Sequence, residues 1–272
     1  MKKKYIALSI LVVLACVLCF SACTRNNEKV SITYENADKY TTEVTEYYDY
    51  VSEVEVIWIS GSVNIVTGDV KGVMIDEKIS KEKVSDDYKV RSYLDGTKLY
   101  IAFSKPGKIN LINLKKDLTV TFPTEMALKK VNVKSVSADV EISNTLTIDS
   151  LTAETVSGKV KAEFSSTVPV NFDAKTVSGD VVATFTKTAA PIIDIETVSG
   201  KTSIVAMDLR DLEIKTVSGD LILTIPESVG YTATLESIAG KIESEYDDLT
   251  YGDGKVRISA ETVSGNVTIK KA

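Results

Sequence analysis

The pentapeptide Glu154-Thr155-Val156-Ser157-Gly158 recurs unchanged at 196–200 and 261–265, and with Lys in the first place at 175–179 and 215–219. Each copy places a Thr and a Ser two residues apart. Both residue types become nucleophiles when a neighbouring base takes the hydroxyl proton. The 272-residue chain has no His, so a Ser-His-Asp arrangement is excluded. A Ser–Lys pair stays open, but nothing sets one copy apart from the others. The competing reading is structural: small hydroxyl residues hydrogen-bond the backbone of a tight corner, and the glycine tolerates positive φ. We adopt that reading and assign no catalytic residue.

Two further features carry chemistry. The insert "EYDDLTYGDGK" (245–255) gathers Glu245, Asp247, Asp248 and Asp253 around Gly252 and Gly254. Carboxylates on a Gly-containing loop are hard oxygen ligands of the kind that bind Ca²⁺. Their spacing matches no EF-hand loop, and a solvated turn is the simpler account. The valines of the repeat, Val156, Val177, Val198 and Val217, have outward parity if strict alternation holds. They would then form an apolar contact stripe. A bulge at the corner would instead turn them into the core, and the regularity of the column favours burial.

These residues must sit on strands. In Leu212–Ile225, Leu212, Ile214, Thr216 and Ser218 share one parity, and Leu221, Leu223 and Ile225 follow the glycine, a period of two on both sides. Aligned on the residue before the glycine, the repeats fall at Ser137, Ser157, Ser178, Ser199, Ser218, Ala239 and Ser264, with spacings of 20, 21, 21, 19, 21 and 25. Such a period marks a solenoid. The expected fold is an all-β, parallel β-solenoid (β-helix-like) with coils of about 20 residues. Seven coils would stand about 34 Å tall.

Charge supports stacking. Lys134, Glu154, Lys175, Glu196, Lys215 and Glu236 alternate in sign along the repeats, and Asp139, Lys159, Asp180, Lys201, Asp220 and Lys241 do so in antiphase. In a parallel stack these residues lie about 4.8 Å apart, so neighbours attract and a skipped coil would set like charges together. The alternation breaks at Glu261 and Asn266. Even alternation also argues against the clustered carboxylates of a glycan-cleaving solenoid enzyme. Lys270 and Lys271, after the last strand, are expected to protect an open edge. Upstream, alternation begins at Val51, Asp95-Gly96 reads as a hairpin turn, and Leu118–Phe122 reads as a strand. This segment is expected to continue or cap the stack.

The N-terminus is a targeting segment. Lys2, Lys3 and Lys4 precede an apolar run from Tyr5 to Phe20, then Ser21, Ala22 and Cys23. This resembles a bacterial lipoprotein signal, which implies lipidation at Cys23. Phe20 departs from the usual aliphatic residue. Val13-Leu14-Ala15-Cys16 is a second candidate that would leave a very short apolar run. An uncleaved anchor would need roughly 20 apolar residues. All three cysteines lie in this segment, so the folded part has no disulfide, thiol nucleophile or Cys metal site. Without residues 1–22 the chain carries 29 basic and 38 acidic residues, which argues against nucleic acid as a partner. The expected organisation is a signal at 1–22, a tether at 23–50 and a β-solenoid domain at 51–272.

The segments "VEVIWISGSVNIVTGD", "YLDGTKLYIAF", "NLKKDLTVTFP" and "VNVKSVSADVEI", leading into repeated "TVSGDV", resemble the bacterial adhesin-like family DUF4097. The resemblance covers roughly residues 50–272 and implies a β-helix-like domain of exported or membrane-anchored proteins, with no catalytic or ligand residues to carry over. The expectation is a lipid-anchored, extracytoplasmic, non-catalytic adhesin-like binding or envelope-scaffold module. It would be held to the membrane by its lipid, need no cofactor, and meet a surface, glycan or protein ligand. The alternatives are a carbohydrate-active enzyme on a β-helix and an accessory subunit of an envelope-stress or signalling system.

Overall fold

The computed structural model describes residues 34, 36–42, 45–105, 114–143, 145–165, 167–187 and 190–272. Among these residues the chain forms twenty strands and one short 3-10 turn, Asp86–Tyr88. Cys23 lies outside the described residues.

Alternating apolar and polar residues let each strand bury one face. In β9 (Val160–Phe164), Val160, Ala162 and Phe164 are buried while Lys161 and Glu163 are half-buried. The repeats are coils of two strands. β8 (Thr147–Thr155) leads into β9, β10 (Asn171–Thr176) into β11 (Val181–Phe185), β12 (Ile192–Ser199) into β13 (Thr202–Ala206), and β14 (Asp211–Ser218) into β15 (Leu221–Ile225). Successive coils pair in parallel, with Val160 opposite Val181, Ala162 opposite Ala183 and Phe164 opposite Phe185. The two Phe rings stack at 4.9 Å, and Phe172 meets both edge-on at 6.0 Å. Two longer strands, β2 (Glu53–Gly68) and β7 (Ala127–Ile142), run through the corner and serve both sheets, pairing with each other from Glu53↔Lys130 to Ile65↔Ile142. The fold is a β-solenoid, mostly parallel.

Stack order departs from chain order at both ends. β5 (Lys98–Ala102) and β6 (Lys116–Pro123) follow β2 in sequence but pair with its other edge, away from β7. They form the outermost parallel layer. Beyond them, antiparallel β4 (Arg91–Asp95) covers β5, β3 (Val73–Ile79) covers β6, and β1 (Glu46–Tyr47) covers β3. Asp95-Gly96 is the expected hairpin turn, with Gly96 at φ 61°. The N-terminal segment therefore both continues and caps the stack.

At the other end, β16 (Tyr231–Ser237) and β17 (Ile242–Ser244) precede β18 (Thr250–Tyr251), β19 (Val256–Ser264) and β20 (Val267–Lys271). Yet β19 pairs with β14 on one side and β16 on the other, and β20 lies between β15 and β17. The last coil of the chain is thus inserted beneath the one before it. All seven repeats form coils, and the two layers of the N-terminal segment bring the stack to nine among the described residues, about 43 Å on the same reckoning.

Two expectations change. Lys270 and Lys271 do not guard an edge, because β20 is interior; Lys271 Nζ pairs with Glu227 at 2.5 Å and its N–H donates to Glu245 Oε2 at 2.8 Å. Part of the expected tether is folded: Tyr34, Tyr40 and Tyr47 are buried, and Tyr34 and Tyr40 pack with Tyr93 and Ala102.

Candidate functional site

The corner places its residue types by a two-residue outward step. Thr155 is buried, Val156 half-buried, Ser157 exposed and Gly158 buried, and the same sequence of environments holds at Thr176–Gly179. Ser218 is exposed, so it does not share the inward parity of Leu212, Ile214 and Thr216. Strict alternation through the corner had placed both the Thr and the Ser inward; only the Thr is.

At the first corners the buried hydroxyl is used by the backbone. Thr155 Oγ1 accepts from Gly158 N–H at 3.0 Å, Thr176 Oγ1 from Gly179 N–H at 2.8 Å, and Ser135 Oγ from Ala138 N–H at 2.9 Å. The exposed serines reach back one coil. Ser178 N–H donates to the Val156 carbonyl at 2.9 Å and Ser178 Oγ does so at 3.3 Å. In the next coils the glycine N–H turns to the following coil instead: Gly200 N–H donates to the Ser218 carbonyl at 3.2 Å, and Gly219 N–H to that of Ser264 at 3.1 Å. There the Thr197 and Thr216 hydroxyls meet at 3.2 Å.

The glycines are required for proximity rather than for dihedral freedom. A Cβ on Gly179 would stand 1.8 Å from the Gly158 carbonyl oxygen, and one on Gly158 1.9 Å from that of Ala138. Among the repeat-corner glycines only Gly200 has a positive φ, 155°. Asp and Asn after the glycine also bond the adjoining coil. Asp139 Oδ1 accepts from Lys159 N–H at 2.8 Å, Asp180 Oδ1 from Lys201 N–H at 2.9 Å, and Asp220 Oδ1 from Asn266 N–H at 2.8 Å.

Val156, Val177, Val198 and Val217 are half-buried, each between a buried Thr and an exposed Ser. They make an apolar rib along the corner that is neither core nor fully exposed. Val136 in the same column packs against the core, and Ile238 at its far end is 67% exposed. Of the acidic insert, Asp253 pairs with Lys255 at 2.6 Å, which holds its carboxyl below the usual range. Among the described residues no group of three or more His, Cys, Asp or Glu side chains is arranged to hold a metal ion, so Asp247, Asp248 and Asp253 do not come together as a cation site.

A feature missed in the sequence lies on the outer face of the first sheet. Asp173, Asp194 and Glu213 are register neighbours on β10, β12 and β14. They form a like-charged column beside the alternating one, where Lys175 reaches Glu196 at 3.6 Å. Burial pushes the Asp173 carboxyl up against the opposing pull of Lys175. Asp194 is pushed up by burial and then by Asp173, Glu196 and Glu213. Asp173 Oδ1 and Glu196 Oε2 are enclosed without a hydrogen-bond partner. The signal was the position two residues before the alternating column, where charge does not alternate.

A second buried charge sits at the N-terminal end. Lys116 is fully buried; its Nζ donates to Glu77 Oε2 at 2.8 Å, to the Tyr88 carbonyl at 2.8 Å and to the Phe103 carbonyl. It lies 4.2 Å from the Phe103 ring centroid and 4.9 Å from that of Trp58. Burial pulls its pKa down to about 8 despite the Glu77 carboxylate. The ammonium ties three segments of the cap together.

A family model described as Toastrack DUF4097 matches residues 51–271. No curated protein matches the chain. A solved structure described as "a putative cell adhesion protein from Clostridium sporogenes" is similar at 14% identity and a TM-score of 0.41, covering 84% of this chain and 96% of that one. Another, described as "a putative adhesin from Bacteroides fragilis", is similar at 14% identity and a TM-score of 0.42, covering 85% of this chain and 98% of that one.

Proposed function

The chain belongs to the Toastrack DUF4097 family, and from that premise we propose that it is a non-catalytic, adhesin-like binding or scaffold module, held outside the cytoplasm by a lipid on Cys23. One observation carries the reading. Several of the repeated hydroxyls, which could have formed a nucleophile array, are engaged by backbone groups at the corners, and those of Thr197 and Thr216 by each other. What the coil stack offers a partner is a long, regularly spaced surface, including the half-buried rib of Val156, Val177, Val198 and Val217. The ligand class is a surface glycan or protein, met by strand faces and the rib. A screen of the protein against cell-wall polysaccharides and intact cells tests it. Binding that falls when Val177 and Val198 are changed to Asp supports the reading, and no binding to any surface overturns it. Cys23→Ala should abolish lipid labelling and release the protein; persistent labelling would refute the anchor.

A second reading, glycan cleavage, is favoured by the Asp173–Asp194–Glu213 column, because acid–base cleavage of a glycosidic bond uses carboxyls side by side, and burial here raises those of Asp173 and Asp194. Glycan turnover lost in Asp194→Asn would establish it in place of the module.

A further inference from the structure

The outer face of the second sheet is organised differently from the first. Where the first carries charges in every layer, the middle of the second is neutral. Its outward residues form two rows in strict register. One row is Glu163, Thr184, Val205, Thr224 and Lys270, on β9, β11, β13, β15 and β20. The other is Lys161, Val182, Ser203, Ile222 and Thr268 on the same strands.

The first row reads the same in reverse with its end charges exchanged. A two-fold axis lying in the face, parallel to the strands and passing over Val205, sets β9 of one copy on β20 of the other. Glu163 then meets Lys270 twice, Thr184 meets Thr224 twice, and Val205 meets itself. In the second row Val182 meets Ile222, Ser203 meets Ser203, and Lys161 meets Thr268. Within the two rows no like charges oppose each other; one layer further out Glu141 faces Glu243, at the rim where water screens them. We propose that this face is a self-association surface whose partner is a second copy of the same chain, packed with its stack direction reversed.

The inserted coil creates this complementarity. In chain order the layer after β15 would be β17, whose outward residue is Glu243, opposite Thr268 in the register. Insertion of β20 places a basic end on a face whose other end is acidic. Both end groups can engage. Glu163 is 41% exposed at its side chain and touches Lys161 at 3.0 Å, while Lys161 keeps Glu141 at 2.8 Å. Lys270 is exposed and makes no salt bridge among the described residues.

Five layers at about 4.8 Å and five residues at about 3.3 Å give about 400 Å² per copy, or about 800 Å² in all. That is below the standard range for stable complexes. The association is therefore weak alone, and gains strength where many copies are confined to one surface. The inference deepens the module reading by naming one partner. It fails separately from that reading, because cell-wall binding is scored independently.

The test uses the full chain, co-expressed with two different tags and chemically cross-linked on intact cells before detergent extraction, with co-precipitation as the readout. Glu163→Lys and Lys270→Glu should each lower co-recovery about tenfold, since each turns two attractive contacts repulsive. Mixing the two variants should restore it, because each Lys then faces a Glu. Val205→Cys should form a reducible dimer across the axis beyond any shown by the unmodified chain. If a charge-reversal variant has lost its cooperative melt, Glu163→Gln and Lys270→Gln replace the pair; each should weaken association, and their mixture should recover part of it, because one of the two Glu163–Lys270 contacts is restored. Wild-type chains that do not co-precipitate, reversals without effect, or a mixture that stays as weak as its components would overturn the proposal. So would loss of cell-wall binding in Glu163→Lys with self-association intact, which would assign the face to another ligand.

Discussion

At the N-terminal end of the stack, the outermost layer of β5 and β6 is covered by antiparallel strands and a tyrosine knot. Tyr93 and Tyr100 stack at 4.6 Å with Tyr40 edge-on to Tyr93, and the single Trp is sealed beneath Lys116. At the C-terminal end the outermost layer, β16 and β17, leaves Ile238, Ile242 and Leu249 at 67, 45 and 46% exposure. Its outer edge is paired by the 249–251 segment, along Tyr231, Thr232 and Ala233. An open edge invites pairing by another chain. One end solves this with antiparallel covering strands and aromatic packing. The other puts its best-matched coil inside and leaves the least regular one as a lid.

The comparison breaks most sharply at the inserted coil. Removing residues 256–272 should cost about 5 kcal/mol or more, because Ile258, Ala260, Val267 and Ile269 are buried against layers on both sides. Removing the lid, 231–255, and joining Gly230 to Val256 should cost less. Those residues already touch, with Val256 N–H donating to the Gly230 carbonyl at 3.1 Å, and the remaining stack stays continuous. Thermal melting that ranked the two deletions the other way would refute the insertion.

Next in size is the contrast between the regular middle and the N-terminal cap. Gly179→Val should destabilise by about 4 kcal/mol through its clash with the Gly158 carbonyl. Gly96→Ala, at φ 61° with open space around its Cβ position, should cost only about 1 kcal/mol. Denaturant midpoints of the two variants decide it.

Lys116 gives the cap a pH signature. Its folded pKa, near 8, lies below its ordinary 10.5, so between these values the unfolded chain holds more protons than the folded one. Stability contributed through this group should rise with pH across that window by up to about 3 kcal/mol. Comparing Lys116→Met with the parent from pH 7 to 10.5 should show the rise only in the parent.

The smallest effect separates the two forms of the corner. Thr176→Val removes the acceptor of Gly179 N–H and should cost about 1 kcal/mol. Thr197→Val should cost less, since Gly200 N–H already donates to the Ser218 carbonyl.

Much of this architecture was legible in the sequence. The Ser-Gly period, the two-residue alternation and the paired charges of Lys134 with Glu154 and Lys175 with Glu196 all survive in the stack. The order of the last two coils was not read, although one clue was present. The sign alternation fails between Glu236 and Glu261 in chain order. With β19 inserted, Glu261 sits opposite Lys215 and the alternation continues one layer further. The mismatch of Glu236 with Glu261 then falls in the outermost layer, where water screens it. Periodicity records that a segment is a coil but not which coil it adjoins, since each coil presents the same backbone edge. The Asp173–Asp194–Glu213 column escaped for a related reason: sign alternation at one position says nothing of its neighbour on the same face.

The inserted coil also sets a timetable. A polypeptide that emerges N-terminus first folds as it appears, and the coils from β7 through β15 can each be laid on the one before. Residues 231–244 cannot reach their final place that way, because the strands they rest on have not yet been made. Their final pairing waits until residues 256–271 arrive. The stack closes only when the whole chain has been delivered, so a prematurely ended chain is marked by an unfinished lid.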